Sequence, residues 1–142
     1  VTYSPWTTLR NQPDILVHSC DLDGADAWWC PDERVVLLHH ELGQAARRSR
    51  LTHELVHIER GDQPGPTDWH DRKIERTVEA EAARRLVALE HLADCLAWTL
   101  DVDEVAELLW VDERIVRARL DNLTLDERTY IDERIRAKEE SA

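Results

Sequence analysis

His53-Glu54-Leu55-Val56-His57 is the stretch on which the reading of this 142-residue chain turns. Residues four apart share one face of a helix, so His53 and His57 can present two imidazole nitrogens to a single Zn²⁺. Glu54, one residue on, sits where a carboxylate can take a proton from water activated at such an ion. The flanks suit a buried helix. Leu51, Leu55 and Ile58 supply an apolar side, Thr52 and Ile58 bracket the motif with uncharged side chains, and Arg47, Arg48 and Arg50 precede it. The helix is expected to run from about Gln44 to Glu59, after the turn that Gly43 permits.

Upstream, Ser4-Pro5-Trp6 reads as the start of a short helix, with Ser4 as cap and Pro5 in the first turn. Ile15–His18, Ala27–Cys30 and Arg34–His39 read as three strands, separated by the turn residues Asp21-Leu22-Asp23-Gly24 and Pro31-Asp32-Glu33. The last two pair as a hairpin. The expected architecture is therefore α+β: a small three-stranded antiparallel sheet packed on the His-Glu helix, followed by a mostly helical C-terminal half. His39-His40 closes the third strand. It reads as a strand end, with a third metal ligand as the alternative.

A catalytic zinc ordinarily takes three protein ligands and leaves one position open. A third histidine soon after the pair, in H-E-x-x-H-x-x-G-x-x-H, is excluded, because Arg60 and Gln63 stand where that motif has its glycine and its last histidine. The remaining source is a carboxylate on a later helix. After the break at Gly61-Asp62-Gln63-Pro64-Gly65-Pro66, Asp68 and Asp71 open a helix expected from about Trp69 to Trp98. Its apolar stripe takes in Ile74, Val78, Leu89, Leu92 and Leu96. At 3.6 residues per turn Glu81 lies about 20° from Ile74, inside that stripe. A carboxylate on a buried face is costly unless paired or metal-bound. Glu81 is thus the expected third ligand, with Glu75 in reserve, and pairing of Glu81 with Arg84 or Arg85 is the alternative. Ala80, Ala82 and Ala83 allow a second helix to approach closely.

In the C-terminal third, Asp101 to Glu104 caps a helix, Trp110-Val111-Asp112 turns, and Glu113 to Leu120 forms a second helix. The pair at 101–122 has the form of a helix-turn-helix, with Arg114, Arg117 and Arg119 outward on the second helix. Thr124 to Glu127 caps a last helix running to about Lys138. Its Tyr130, Ile131 and Ile135 either pack back on the body or meet a second copy in a homodimer. The expected division is 1–123 as the metal-binding domain, with the helical pair inside it, and 124–142 as a C-terminal helix and tail.

Composition narrows the functions. The chain has a formal net charge of −12. That balance opposes non-specific attraction to nucleic acid and to acidic membrane surfaces. Three cysteines, Cys20, Cys30 and Cys95, do not make a disulfide framework. No stretch reads as a signal peptide or membrane span, so a cytoplasmic location is the simplest expectation.

The order of these elements, with Trp28 to Leu38 before Arg50-Leu51-Thr52-His53-Glu54-Leu55-Val56-His57 and later Glu79-Ala80-Glu81-Ala82-Ala83-Arg84-Arg85-Leu86-Val87, resembles the ImmA/IrrE family of metallopeptidases, which look like gluzincins reduced to a minimum. The resemblance covers roughly residues 3 to 123. It implies zinc on His53, His57 and Glu81, with Glu54 as general base. It also implies a cytoplasmic endopeptidase encoded by a phage, mobile element or stress operon, acting in transcription regulation on a helix-turn-helix repressor as its protein substrate. For such hydrolysis an electrophilic helper is expected, with His70, His91 and Tyr130 as candidates, and the strand around Arg34 to Leu38 could hold substrate by strand addition. Two alternatives stand beside this reading. One is a non-catalytic regulatory or antitoxin-like binding protein on the zincin fold. The other is a DNA-binding regulator acting through residues 101–122.

Overall fold

The computed structural model describes residues 2–62 and 68–142, apart from the side chains of residues 68–70. Among the described residues ten elements follow one another: α1 (Pro5–Arg10), β1 (Leu16–Cys20), β2 (Ala27–Cys30), β3 (Val35–His39), α2 (Gln44–Arg60), α3 (Asp68–Leu86), α4 (Leu89–Leu96), α5 (Val102–Leu109), α6 (Glu113–Asp121) and α7 (Leu125–Ser141). The expected sheet, metal-motif helix and helical C-terminal half are all present. The expected cap at Asp68 and any role of Gln63 or His70 fall on positions outside the described side chains.

The sheet is mixed, not antiparallel throughout. Its order is β1-β3-β2, with β2 antiparallel and β1 parallel to β3. The last strand in sequence lies in the middle because it is the most apolar. Val36 and Leu38 are fully buried, whereas β1 carries His18 and Ser19 and can serve as an edge. The hairpin between β2 and β3 turns through Arg34, held at φ 56°. On the face towards α2, Val36 and Leu38 pack with Ile15, Leu51 and Leu55. Fully burying a leucine such as Leu51 or Leu55 contributes roughly 1.5–3 kcal/mol.

The opposite side of α2 meets a second core. Val56 joins Val78, Ala82, Ala83 and Leu86 of α3, then Leu92, Val105, Ile115, Val116 and Ile131. The small side chains at Ala82 and Ala83 let α3 lie close to its neighbours, and α3 packs on both α2 and α6. Tyr130 and Ile135 of α7 pack against this same core.

The long helix expected from 69 to 98 is two helices. Ala88 adopts an extended conformation, φ −65° and ψ 141°, so α3 ends at Leu86 and α4 starts afresh. Cap predictions fared unevenly. Thr124 and Glu127 form the reciprocal capping box, and the Asp101 side chain accepts from the Asp103 and Glu104 amides. Ser4 precedes Pro5 without a side-chain cap bond.

The helical pair is bolted to α2. Arg48 donates to the carbonyls of Trp110 (3.0 Å) and Tyr3 (3.2 Å). Ser49 Oγ accepts from the Asp112 amide at 3.0 Å, and Arg50 Nε reaches Asp112 Oδ2 at 3.0 Å. Trp110 ends α5 in the left-handed region at φ 59°, a conformation that costs a non-glycine residue energy. The bond from Arg48 to its carbonyl offsets part of that cost. Of the three arginines expected outward on α6, Arg119 is buried. It donates to the Val87 carbonyl at 3.0 Å and to Glu127 at 2.8 Å. Its aliphatic stem and head fill the seam between α6 and the start of α7, so it is structural.

Candidate metal centre

With Leu51 and Leu55 turned to the sheet, the helical repeat of α2 carries His53 and His57 round to face α3. There they meet Glu75. His53 Nε2 lies 2.8 Å from Glu75 Oε2, and His57 Nε2 lies 2.8 Å from Glu75 Oε1. One ligand atom from each of the three residues falls within 4.8 Å of the others. His53 is buried, while the Glu75 side chain is 54% exposed, so the cluster opens to solvent on the α3 side.

The outer nitrogens are also held. His53 Nδ1 faces Glu79 Oε1 at 3.1 Å, and His57 Nδ1 faces Asp62 Oδ2 at 3.0 Å. A carboxylate on Nδ1 fixes the proton there and turns the Nε2 lone pair inward, the tautomer a metal-ligating histidine needs. Two imidazoles and a carboxylate converging in this way fit a zinc ion in both donor chemistry and number. The cause of each outer contact is local. Gly61 takes φ 69° and stops α2, its amide bonding back to the His57 and Ile58 carbonyls. That left-handed cap places Asp62 directly beneath His57. Glu79 follows Glu75 by four residues, so the pair stands opposite the two histidines one helical turn apart.

Glu79 is itself anchored. Arg50, with only 7% of its side chain exposed, reaches Glu79 Oε1 at 3.1 Å and Asp112 Oδ2 at 3.0 Å. A chain of contacts thus runs from the α5–α6 turn through Arg50 and Glu79 to His53.

Without an ion, both nitrogens of each histidine face carboxylates. Burial pushes the His53 imidazolium down, but Glu75 and Glu79 outweigh it and bring its pKa up to about 9. His57 is raised in the same way, with burial opposed by Glu75 and Asp62. Glu75 is driven well below the usual carboxylate range by its bonds to His53 and His57. Burial raises the Glu54 carboxyl, against the pull of the two histidines.

These shifts predict how the metal-free chain responds to pH. A folded His53 pKa above the ordinary 6.5 stabilises the fold fully below 6.5, and that contribution disappears as pH rises through about 9. Glu75, shifted downward, contributes above its ordinary 4.5 and loses its effect in acid. Metal-free protein should therefore be most resistant to urea at a pH near 6. By pH 9.5 it should lose on the order of 2 kcal/mol. Chelator-treated protein unfolded in urea across this range checks the sign, which would be wrong if stability rose from pH 6 to 9.5.

Glu81 is not in the cluster. Its carboxylate is taken by Arg84 at 3.1 Å and Arg85 at 3.2 Å on the outside of α3. The reserve candidate, Glu75, is the carboxylate that meets both histidines instead. The error has a clear physical source. Leu89, Leu92 and Leu96 set the expected stripe, yet they belong to α4, whose phase is reset at Ala88. The buried residues of α3 alone, Val78, Ala80, Ala82, Ala83 and Leu86, centre the inner face about 120° round from Ile74, between Glu75 and Glu79.

A second group, Asp21, His39 and His40, also brings ligand atoms within 4.8 Å. His39 Nδ1 there accepts the Glu41 amide at 3.1 Å. The neutral ring must then carry its proton on Nε2, which points to Asp21 at 3.5 Å. The group is satisfied as a strand-end contact. Of the proposed electrophilic helpers, His91 lines a separate groove with Trp98 and Trp110, and Tyr130 packs on the helical core. Neither borders the cluster.

Two hollows do border it. One, of about 530 Å³, is lined by Gly24–Ala27, His53, Glu54 and Glu75 with Arg76 and Arg114. The other, of about 540 Å³, is lined by Ala27, Trp28, Trp29, Pro31 and Ile74 with Glu54, His57 and Glu75. Ala27, Glu54 and Glu75 belong to both, so the hollows are halves of one groove crossing the cluster. β2 forms its upper wall. No family model, curated protein or solved structure matches the chain. Among the described residues no helix is long and apolar enough to cross a membrane.

Proposed function

We propose that this chain is a zinc-dependent endopeptidase whose metal is held by His53, His57 and Glu75. The observation that carries the reading is the convergence of both Nε2 atoms on the two oxygens of Glu75, each at 2.8 Å, with Glu54 beside them in an open groove. When bound, zinc supplies Lewis acidity towards a peptide carbonyl and the attacking water. The chain supplies the rest. Glu54 takes a proton from the water as its oxygen attacks the carbonyl carbon. It then delivers that proton to the amine as the carbon–nitrogen bond breaks. Burial lifts the Glu54 carboxyl towards the pH at which it must both accept and release.

Substrate is held by the open edge of β2. The expected holder, the Arg34–Leu38 strand, is central and has both sides paired. In β2 the Asp26 carbonyl bonds to the His39 amide, and Trp28 and Cys30 face β3 in the same alternation. The amides and carbonyls of Ala27 and Trp29 are left pointing away from β3, free to pair with an extended peptide.

The motif resemblance to ImmA/IrrE peptidases points to a regulatory protein, such as a helix-turn-helix repressor, as the substrate. DNA binding through residues 101–122 is disfavoured by the burial of Arg119 and by the pairing of Arg114 with Asp26 and of Arg117 with Glu113. The decisive experiment is Glu54→Gln. It should retain zinc while hydrolysis falls about 10²–10⁴-fold, the range of a general base. Retained zinc and unimpaired cleavage would remove Glu54 from the mechanism. Zinc without cleavage in either protein would favour a non-catalytic binding role.

A further inference from the structure

We infer that the groove is polarised, and that it selects a polypeptide with a large apolar side chain before the scissile bond and acidic side chains after it. This rests on the peptidase reading above but goes beyond it to the sequence recognised. Apart from residues common to both halves, the two ends of the groove differ in charge and in kind. The half beside Gly24–Asp26 has three arginines, Arg50, Arg76 and Arg114, against the carboxylates of Asp26 and Glu79. Arg50 is consumed by Glu79 and Asp112, and Arg114 pairs with Asp26. Arg76 is exposed and makes no ion pair among the described residues, so it is the cation available to a ligand. Among the described residues, the half beside Trp28–Pro31 has no Lys or Arg in its lining. Its walls are Trp28, Trp29, Pro31 and Ile74, beside His57, Asp71 and an Asp62 already held by His57 and Arg60. An acidic side chain finds no lysine or arginine there among the described residues, and an aromatic or branched one finds apolar cover.

Chain direction follows from the strand edge. Antiparallel pairing is the slightly more stable arrangement per residue. A peptide added antiparallel to β2 enters at Cys30 and leaves past Ala27. Its N-terminal half then occupies the apolar hollow, and its C-terminal half runs beneath Arg76. Each hollow, at about 540 and 530 Å³, has room for one or two side chains.

The test uses zinc-loaded Glu54→Gln protein, which holds peptides without turning them over, and three capped octapeptides with an Ala-Ala centre. The first has phenylalanine before the centre and two aspartates after it. The second reverses that order. The third replaces the aspartates by lysines. Calorimetry should rank the first peptide tightest, with the third weaker by about three- to fivefold per charge, the scale of an exposed ion pair. Arg76→Glu should invert the preference between aspartate and lysine, since its side chain is exposed and no packing depends on it. Tighter binding of the reversed peptide would overturn the chain direction. Equal affinities, no binding, or indifference to Arg76→Glu would overturn the polarity. Zinc content and cleavage by the wild type report separately on the peptidase reading, so failure of one is distinguishable from failure of the other.

Discussion

On the proposed zinc site, Glu75→Ala is expected to abolish metal binding, and Glu81→Ala is expected to leave it intact. Glu75 is the only side chain in contact with the Nε2 atoms of both histidines among the described residues, at 2.8 Å each. Its loss leaves two neutral imidazoles on a single helix and no carboxylate facing both Nε2 atoms to offset the charge of a divalent ion. The zinc dissociation constant should rise by more than the roughly 10–100-fold that loss of an orienting outer partner costs. Glu79→Ala should fall within that smaller range, because Glu79 touches only Nδ1 of His53. Glu81→Ala breaks an exposed pairing with Arg84 and Arg85 and should change zinc affinity less than about twofold, in keeping with the small energies of surface ion pairs. Competition titrations with a chromophoric chelator would order the three variants. If Glu81→Ala lost zinc and Glu75→Ala retained it, the site drawn here would be wrong.

Arg50→Met should be among the most destabilising single changes in the chain. The guanidinium is buried against two carboxylates on different elements, Glu79 on α3 and Asp112 at the start of α6. Removing it leaves Glu79, 20% exposed, with His53 alone, and Asp112, 15% exposed, with only the more distant Arg114 at 3.6 Å. Breaking a buried pair in this way costs about 3–5 kcal/mol, and the residual access of solvent to both carboxylates places the expectation near 3. The urea midpoint reads this directly, with the slope unchanged if the unfolded state is unaffected. Methionine fills much of the same volume, so the loss is electrostatic more than steric. A shift under about 1 kcal/mol would mean that Arg50 is as replaceable as a surface arginine. The same variant frees Glu79, so a modest loss of zinc affinity should accompany the loss of stability.

Much of this was readable beforehand where a single local rule dominated. The histidine spacing, the β2–β3 hairpin, the Thr124 box and the Pro5 helix start each depend on neighbours within a turn. What failed depended on partners far away in sequence. The central place of β3 reflects competition among three strands for the most buried slot, which no strand shows by itself. The Glu81 assignment failed on a backbone torsion at Ala88 that composition does not advertise. Treating α3 and α4 separately would have recovered Glu75, since Val78, Ala82 and Leu86 already mark its inner face. Arg50 was visible only as part of a basic run before the motif. Its burial arises because Asp112, 62 positions later, returns to cap α6 beside it.

The Gly61 cap has a consequence for how this scaffold can vary. Ending the helix and orienting His57 are here one event, because the backbone turn that satisfies the last carbonyls of α2 also delivers Asp62 to His57 Nδ1 at 3.0 Å. The helix terminus acts as a ruler whose zero mark is His57. An extra residue between His57 and Asp62 would swing the carboxylate by about 100° and off the imidazole, whereas residues added after Asp62 lie beyond the ruler and need not disturb it. Length changes between the two halves of the site are therefore tolerable on one side of Asp62 only.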